Sequence, residues 1–110
     1  VMGGAMQPQG HVQVLVNMLD FGMDLQAAGD AARFNHEGSS EPTGTMMTNG
    51  GVLYVEPGVP EAVRQALSKR GHKVVVGGGF GGYQAVARDP ATGELTGATE
   101  SRKDGCALGY

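Results

Sequence analysis

Few residue types in this chain could do chemistry, and the first to consider carry no side chain at all. Gly3 and Gly4 stand as an adjacent pair in "VMGGAMQPQG". Without Cβ atoms, two successive residues can turn their N–H groups into one concavity, which suits an anion or the negative oxygen of a tetrahedral intermediate. A donor of that kind is worth about 3 kcal/mol when it meets an oxyanion. A plain turn before a helix would use the same pair, so the residues alone leave both readings open.

The remaining candidates are weaker. "GGGFGG" places Gly77, Gly79 and Gly82 at G-x-G-x-x-G spacing directly after "KVVV". A dinucleotide cradle needs a helix next, because the N-terminal dipole of that helix holds the pyrophosphate. "YQAVARD" alternates like a strand instead, so the run is expected to be a glycine loop or a close backbone approach, and no cofactor is expected. His11, His36 and His72 fall on three different elements, and neither C-x-x-C nor H-x-x-x-H spacing occurs. His36 beside Glu37 could reach a common ion, yet histidines without ligand spacing are expected to be structural or surface residues, and no metal is expected. Cys106, the lone cysteine, has no histidine near it in sequence and reads as a small buried hydrophobe rather than a nucleophile. No G-x-S-x-G elbow is present and no threonine stands first, so the segment is expected to lack a nucleophile of its own.

The totals narrow the partners. A chain of 110 residues fits one domain, and a formal charge of −3 with eight scattered Lys and Arg leaves no footprint for nucleic acid or an anionic membrane. No apolar run reaches the ~18 residues of a membrane span. One cysteine permits no intrachain disulfide, which leaves bacterial periplasm and cytoplasm both open.

The elements that must position Gly3 and Gly4 follow from periodicity. Val12, Leu15, Val16 and Leu19 recur at helical spacing, and Gln9, Gln13, Asn17 and Asp20 form a narrow polar stripe. This predicts a mostly buried helix from Gln9 to Phe21, with Pro8 in its first turn and Gly22 at its stop. Asp24 is placed to cap a short second helix over Leu25 to Ala31. "ARFNHE" reads as extended, and residues 38–51 as a polar loop with a short strand at Thr45 to Thr48. "VLYVEPG" is a strand, "PEAVRQALSKRG" a third helix, and "HKVVV", "YQAVARD" and "ELTGATE" three more strands, the last two joined by a turn at "DPATG". The expected class is α+β, with helices on short, mostly antiparallel strands.

Collinear segments add a resemblance. "MGGAMQPQGHVQVLVNMLDFGMDLQAA", "ARFNHE", "VEPGVPEAV", "LSKRGHKV", "GGYQAVARDPATGELTGATESR" and "GCALGY" together resemble the C-terminal half of the small subunit of gamma-glutamyltranspeptidases. Its most specific parts are the glycine pair followed by Gln13 and Asn17, the Asp30 to Phe34 segment, Gly97 to Arg102, and Gly109 with Tyr110.

The resemblance implies part of the αββα sandwich of an N-terminal nucleophile hydrolase, with residues 1–110 as a single-domain C-terminal fragment of the small, catalytic subunit. It implies a self-cleaving precursor whose freed threonine attacks a gamma-glutamyl amide such as glutathione, with Gly3 and Gly4 as the oxyanion hole. The implied partners are the remainder of the small subunit and the large subunit. The threonine motif and the residues that grip the substrate's amino and carboxylate groups are not in this chain, so it is expected to be inactive alone and to self-associate. Val1 and Met2 stand where serine and proline often precede the glycine pair, which leaves acylase activity on other amides open. A stand-alone binding or assembly module is the reading from another class.

Overall fold

Gly3 and Gly4 start the first turn, and the chain then stays helical for sixteen residues. A single 3-10 turn at Gly4–Met6 runs directly into α1, Gln7–Leu19. Pro8 lies at the start of α1, where its missing N–H costs nothing. Asp24 accepts the N–H of Ala27 at 2.7 Å and so caps α2, Leu25–Asp30, a contact worth about 1 kcal/mol. The five strands are β1, Phe34–Glu37; β2, Val52–Val55; β3, Val74–Val76; β4, Gln84–Arg88; and β5, Leu95–Thr99. The helix α3, Glu61–Lys69, lies between β2 and β3 in sequence. The computed structural model describes residues 1–38 and 49–109; the strand expected at 45–48 falls outside them. Helices on small sheets, two strand pairs antiparallel and one parallel, make the α+β class that the pattern predicts. No helix among the described residues is long and apolar enough to cross a membrane.

The chain divides into two compact units, Val1–Ala31 with Gly81–Tyr110, and Ala32–Phe80. In the second unit the sheet order is β1-β2-β3, with β1 antiparallel and β3 parallel to β2. Its start and end are joined by a buried pair. Arg33 donates its N–H to Glu56 Oε2 at 2.8 Å and receives the Glu56 N–H on its own carbonyl at 2.9 Å. The Arg33 guanidinium reaches the Phe80 carbonyl at 2.9 Å, and Glu56 Oε1 takes the Phe80 N–H at 3.4 Å. Periodicity could not pair these residues, since they lie 23 and 47 positions apart.

In the first unit, β4 and β5 form an antiparallel hairpin whose turn is held by Asp89. Its carboxylate accepts the N–H groups of Ala91 and Thr92 at 2.7 and 2.9 Å. The core gathers Val14 of α1, Ala28 of α2, Tyr83 and Ala98 of β5. Tyr83 passes so close to Gly29 that a Cβ there would run into its ring, and its hydroxyl donates to the Leu25 carbonyl at 2.9 Å. Burying that ring contributes about 2 kcal/mol.

The sequence reading of α1 as mostly buried needs correction. Only Gly10 and Val14 are buried, while Val12, Leu15 and Leu19 stay 60%, 53% and 78% exposed. At about 100° per residue these three share one stripe, roughly opposite the face that carries Gly10 and Val14. The helix therefore has two apolar faces, and the small core of this unit uses one.

A helix as short as α2 owes its place to its ends. Arg102 donates to the carbonyls of Gly29 and Ala31 at 2.9 and 2.8 Å and to the Glu100 carboxylate at 2.8 Å. Its charge thus neutralises the negative pole where the helix leaves carbonyls unmatched. Glu100 is 3% exposed, and removing one partner of a buried pair like this costs about 3 kcal/mol or more. Beside it, Asp30 accepts from Gln26 at 2.8 Å and from the Ser101 N–H at 3.0 Å. Those two bonds, with help from the Ser101 hydroxyl and the Arg102 charge, hold its carboxyl below the usual range against a small cost of desolvation.

The front of α1 is fixed by a backbone bridge. Met2 donates to the Gly82 carbonyl at 2.7 Å and accepts the Gly82 N–H at 2.9 Å. Gly81 lies at φ +77°, and a Cβ on it would meet the Met2 carbonyl at 2.6 Å.

Two outcomes follow from these contacts. Because Asp30 titrates below its ordinary range when folded, its contribution is complete at neutral pH and is lost as pH falls through the folded value. Urea unfolding at pH ~7, ~4 and ~2.5 should show wild type losing more stability in acid than Asp30→Asn, with the two converging at the lowest pH; parallel curves would show that the carboxylate does nothing there. Gly81→Ala should cost about 2–3 kcal/mol and strip the Met2 and Gly82 amides of hydrogen-exchange protection. Gly79→Ala, at φ +76° with nothing within 4 Å, should cost only about 1 kcal/mol and leave that protection intact.

Candidate functional site

The glycine pair occupies the N-terminal end of the helical stretch formed by the 3-10 turn and α1. Gly3 is at φ 143°, ψ 31°, and caps the turn; its carbonyl accepts the Met6 N–H at 3.1 Å. Gly4 is at φ +57°, a conformation that a side chain disfavours, and a Cβ built on it would meet nothing within 4 Å. Among the described residues no acceptor takes the N–H of Gly3 or of Gly4. Unmatched amides at a helical N-terminus carry the positive end of the macrodipole, so this corner favours negative charge.

What holds the corner in place is absence of side chains on its neighbours. A Cβ on Gly3 would stand 3.0 Å from Gly81 Cα, and one on Gly10 would stand 2.8 Å from Val1 Cγ1. The first residues thus run in a slot between α1 and the Gly81–Gly82 backbone, anchored by the Met2–Gly82 bridge. This is the use that the sequence leaves for "GGGFGG". The run leads into strand β4 and not into a helix, and its last two glycines serve a close backbone approach.

The structure brings His11 to this corner, its Nε2 3.0 Å from the Val1 nitrogen, but assembles no catalytic set there among the described residues. His36 bonds the Gly50 carbonyl through Nε2 at 2.8 Å, whereas Glu37, its neighbour on the same strand, takes the Asn35 amide at 3.0 Å. Adjacent strand residues face opposite sides, so the two do not share an ion. His11 donates Nδ1–H to the Gln7 carbonyl at 2.6 Å, one turn back along α1, and His72 is exposed. No group of three or more metal-ligating side chains occurs among the described residues. Cys106 is exposed, not buried as the small-hydrophobe reading expects, because the segment after β5 crosses the outer face of the hairpin.

Sequence reading passed over one side chain near the glycines. Lys103 lays its stem against Gly82, where a Cβ would lie 3.1 Å from its Cγ. Nothing in local spacing marks it, since it comes to Gly82 only through the hairpin.

Comparison with known proteins agrees on one family. Its sequence model, described as gamma-glutamyltranspeptidase, matches residues 1–110. The Acylase ACY 1 proenzyme of Pseudomonas sp. (strain SE83) is 44% identical over 95 residues, 86% of this chain and 15% of that protein. The glutathione hydrolase proenzyme of Escherichia coli (strain K12) is 30% identical over 100 residues, 90% of this chain and 15% of that protein. The crystal structure of cephalosporin acylase from Bacillus halodurans matches with a TM-score of 0.80 at 46% identity, covering 100% of this chain and 20% of that one. The chain therefore spans about 15% of the length of the curated relatives it matches. With a full-length match to the family model and the collinear motifs folding as described, this chain belongs to the gamma-glutamyltranspeptidase family.

Proposed function

We propose that this chain supplies the oxyanion-binding amides of an amide-cleaving acyltransferase or hydrolase whose nucleophile lies in the rest of a processed proenzyme. The observation that carries this reading is the pair of N–H groups on Gly3 and Gly4, given to no acceptor among the described residues and set at the positive end of a helical stretch. A threonyl oxygen from elsewhere in the protein attacks the substrate's amide carbon, and the carbonyl oxygen takes up the negative charge. The two amides stabilise that charge where it develops, which lowers the barrier without moving any group. Collapse breaks the C–N bond, the amine leaves with the proton, and water or an amine then takes the acyl group from the threonine.

On this reading the parent enzyme cleaves gamma-glutamyl amides such as glutathione. A second reading, an acylase for other amides, is favoured by the identity pattern: 44–46% to two acylases against 30% to a glutathione hydrolase. Met2 in the position before the glycine pair points the same way. The outer apolar stripe of α1, Val12, Leu15 and Leu19, is the surface on which the remainder of the subunit would pack.

A matched pair of substitutions tests the oxyanion assignment in the complete processed enzyme that carries this chain. Gly4 and Gly22 lie at φ +57° and +65°, each with open space around a built Cβ. A valine at either site is strained equally and relieves the strain by rotating its peptide. Gly4→Val swings an amide of the site and should lower kcat about 100-fold or more on a chromogenic gamma-glutamyl or glutaryl anilide. Gly22→Val should keep kcat while losing comparable thermal stability. Full turnover by Gly4→Val would remove the oxyanion role.

A further inference from the structure

The turn that leads into β2 carries the chain's single Asn-Gly step, Asn49 followed by Gly50. Both residues are exposed. The Gly51 N–H donates to Asn49 Oδ1 at 3.1 Å, so the side chain folds back over its own backbone. The ring of atoms closed by this bond contains both Asn49 Cγ and the Gly50 nitrogen, which keeps the two within one turn. Among the described residues no acceptor takes the Gly50 N–H, and a Cβ built on Gly50 would meet nothing within 4 Å.

Contacts to β1 hold the turn from its other side. His36 Nε2 donates to the Gly50 carbonyl at 2.8 Å, and a Cβ on Gly51 would run into the Glu37 carbonyl. Gly50 and Gly51 both lie at φ +71°, where a side chain is disfavoured. The turn is thus fixed against the strand and open toward solvent. Asn17 and Asn35 have no such setting: the first lies within α1 and the second within β1, where Asn35 gives its amide to Glu37 at 3.0 Å. Each is followed by a residue with a side chain.

We propose that Asn49 is a site of self-modification, at which the folded turn converts the side-chain amide to a carboxylate with water as the one co-reactant. The Gly50 nitrogen gives its proton to solvent and attacks Asn49 Cγ, forming a new N–C bond. The negative charge gathers on Oδ1, where the Gly51 N–H already stands as a donor. The Cγ–Nδ2 bond then breaks, and Nδ2 leaves as ammonia with a proton from solvent. Water opens the cyclic imide that results. Opening at Cγ leaves aspartate at position 49; opening at the former main-chain carbonyl leaves isoaspartate, whose chain runs through the side chain. Either product adds a negative charge, and isoaspartate also adds one backbone carbon just ahead of β2, where Gly51 is already wedged against β1.

The test ages the complete processed enzyme that carries this chain in mildly alkaline buffer beside a synthetic peptide of residues 46–54, with tryptic fragments read by tandem mass spectrometry. Position 49 should gain the mass difference between O and NH at least as fast in the enzyme as in the peptide, because the fold has already placed the Gly51 donor. Positions 17 and 35 should stay unchanged, and isoaspartyl methyltransferase should label the fragment that holds position 49. Gly50→Ala, for which the built Cβ finds open space, should slow the gain about tenfold or more, and Asn49→Asp should show none. A slower gain in the enzyme than in the peptide, equal gain at position 17 or 35, or a rate untouched by Gly50→Ala overturns the proposal. Turnover is not among these readouts, so the inference stands or falls apart from the role given to Gly3 and Gly4.

Discussion

Two hydrogen bonds between Met2 and Gly82 decide where the front of this chain can be. They tie residues eighty positions apart in sequence, and they work only because the surface that Met2 approaches is bare backbone. Gly81 and Gly82 on one side and Gly10 on the other leave a slot the width of one extended strand. Once the chain is threaded there, the next two residues must turn sharply into the 3-10 turn, and glycine at positive φ makes that turn accessible. The amides of Gly3 and Gly4 are set by this threading, with no side chain intervening.

Around that bridge the fold divides labour between short-range and long-range contacts. The hairpin and the cap of α2 are local: Asp89 organises its own turn, and Asp24 satisfies an amide three residues on. The packing of α2 on β5 is long-range, carried by Arg102 across about 70 positions of sequence. A guanidinium suits this task because it presents several donors in one plane to carbonyls that a helix end leaves unmatched. Arg33 does comparable work in the other unit, where it reaches a backbone carbonyl of Phe80.

That division explains what could be read from the sequence. Asp24 as a cap, Pro8 at a helix start, the turn at "DPATG" and the strand after "GGGFGG" were legible because each depends on residues within a few positions. The glycine pair was legible as a chemical possibility, and the family resemblance rather than spacing gave it a role. Arg102 with Glu100, Arg33 with Glu56, and Lys103 over Gly82 were not legible, since each needs the tertiary path before the partners are neighbours. Burial of α1 was misread for a related reason. Helical periodicity shows that a residue is apolar on a given face, whereas burial also requires something to cover that face, and here Leu15 and Leu19 are more than half exposed.

A site built from backbone amides has a consequence for how such a family can vary. Donors supplied by Gly3 and Gly4 do not change with side-chain substitution elsewhere, provided the slot that places them keeps its glycines. Met2 faces a different constraint: its backbone makes the bridge, which most residue types could do, while its side chain lies free to differ. Proline, lacking an N–H, could not donate the bond that Met2 gives to Gly82, so a proline there would have to hold the slot with one hydrogen bond instead of two. Lys103 is under the same freedom, exposed in the turn that follows β5 and next to Arg102, which secures that turn. Backbone placement and side-chain variation are thus carried by separable parts of one corner, the first by glycines that cannot be altered cheaply and the second by side chains that can.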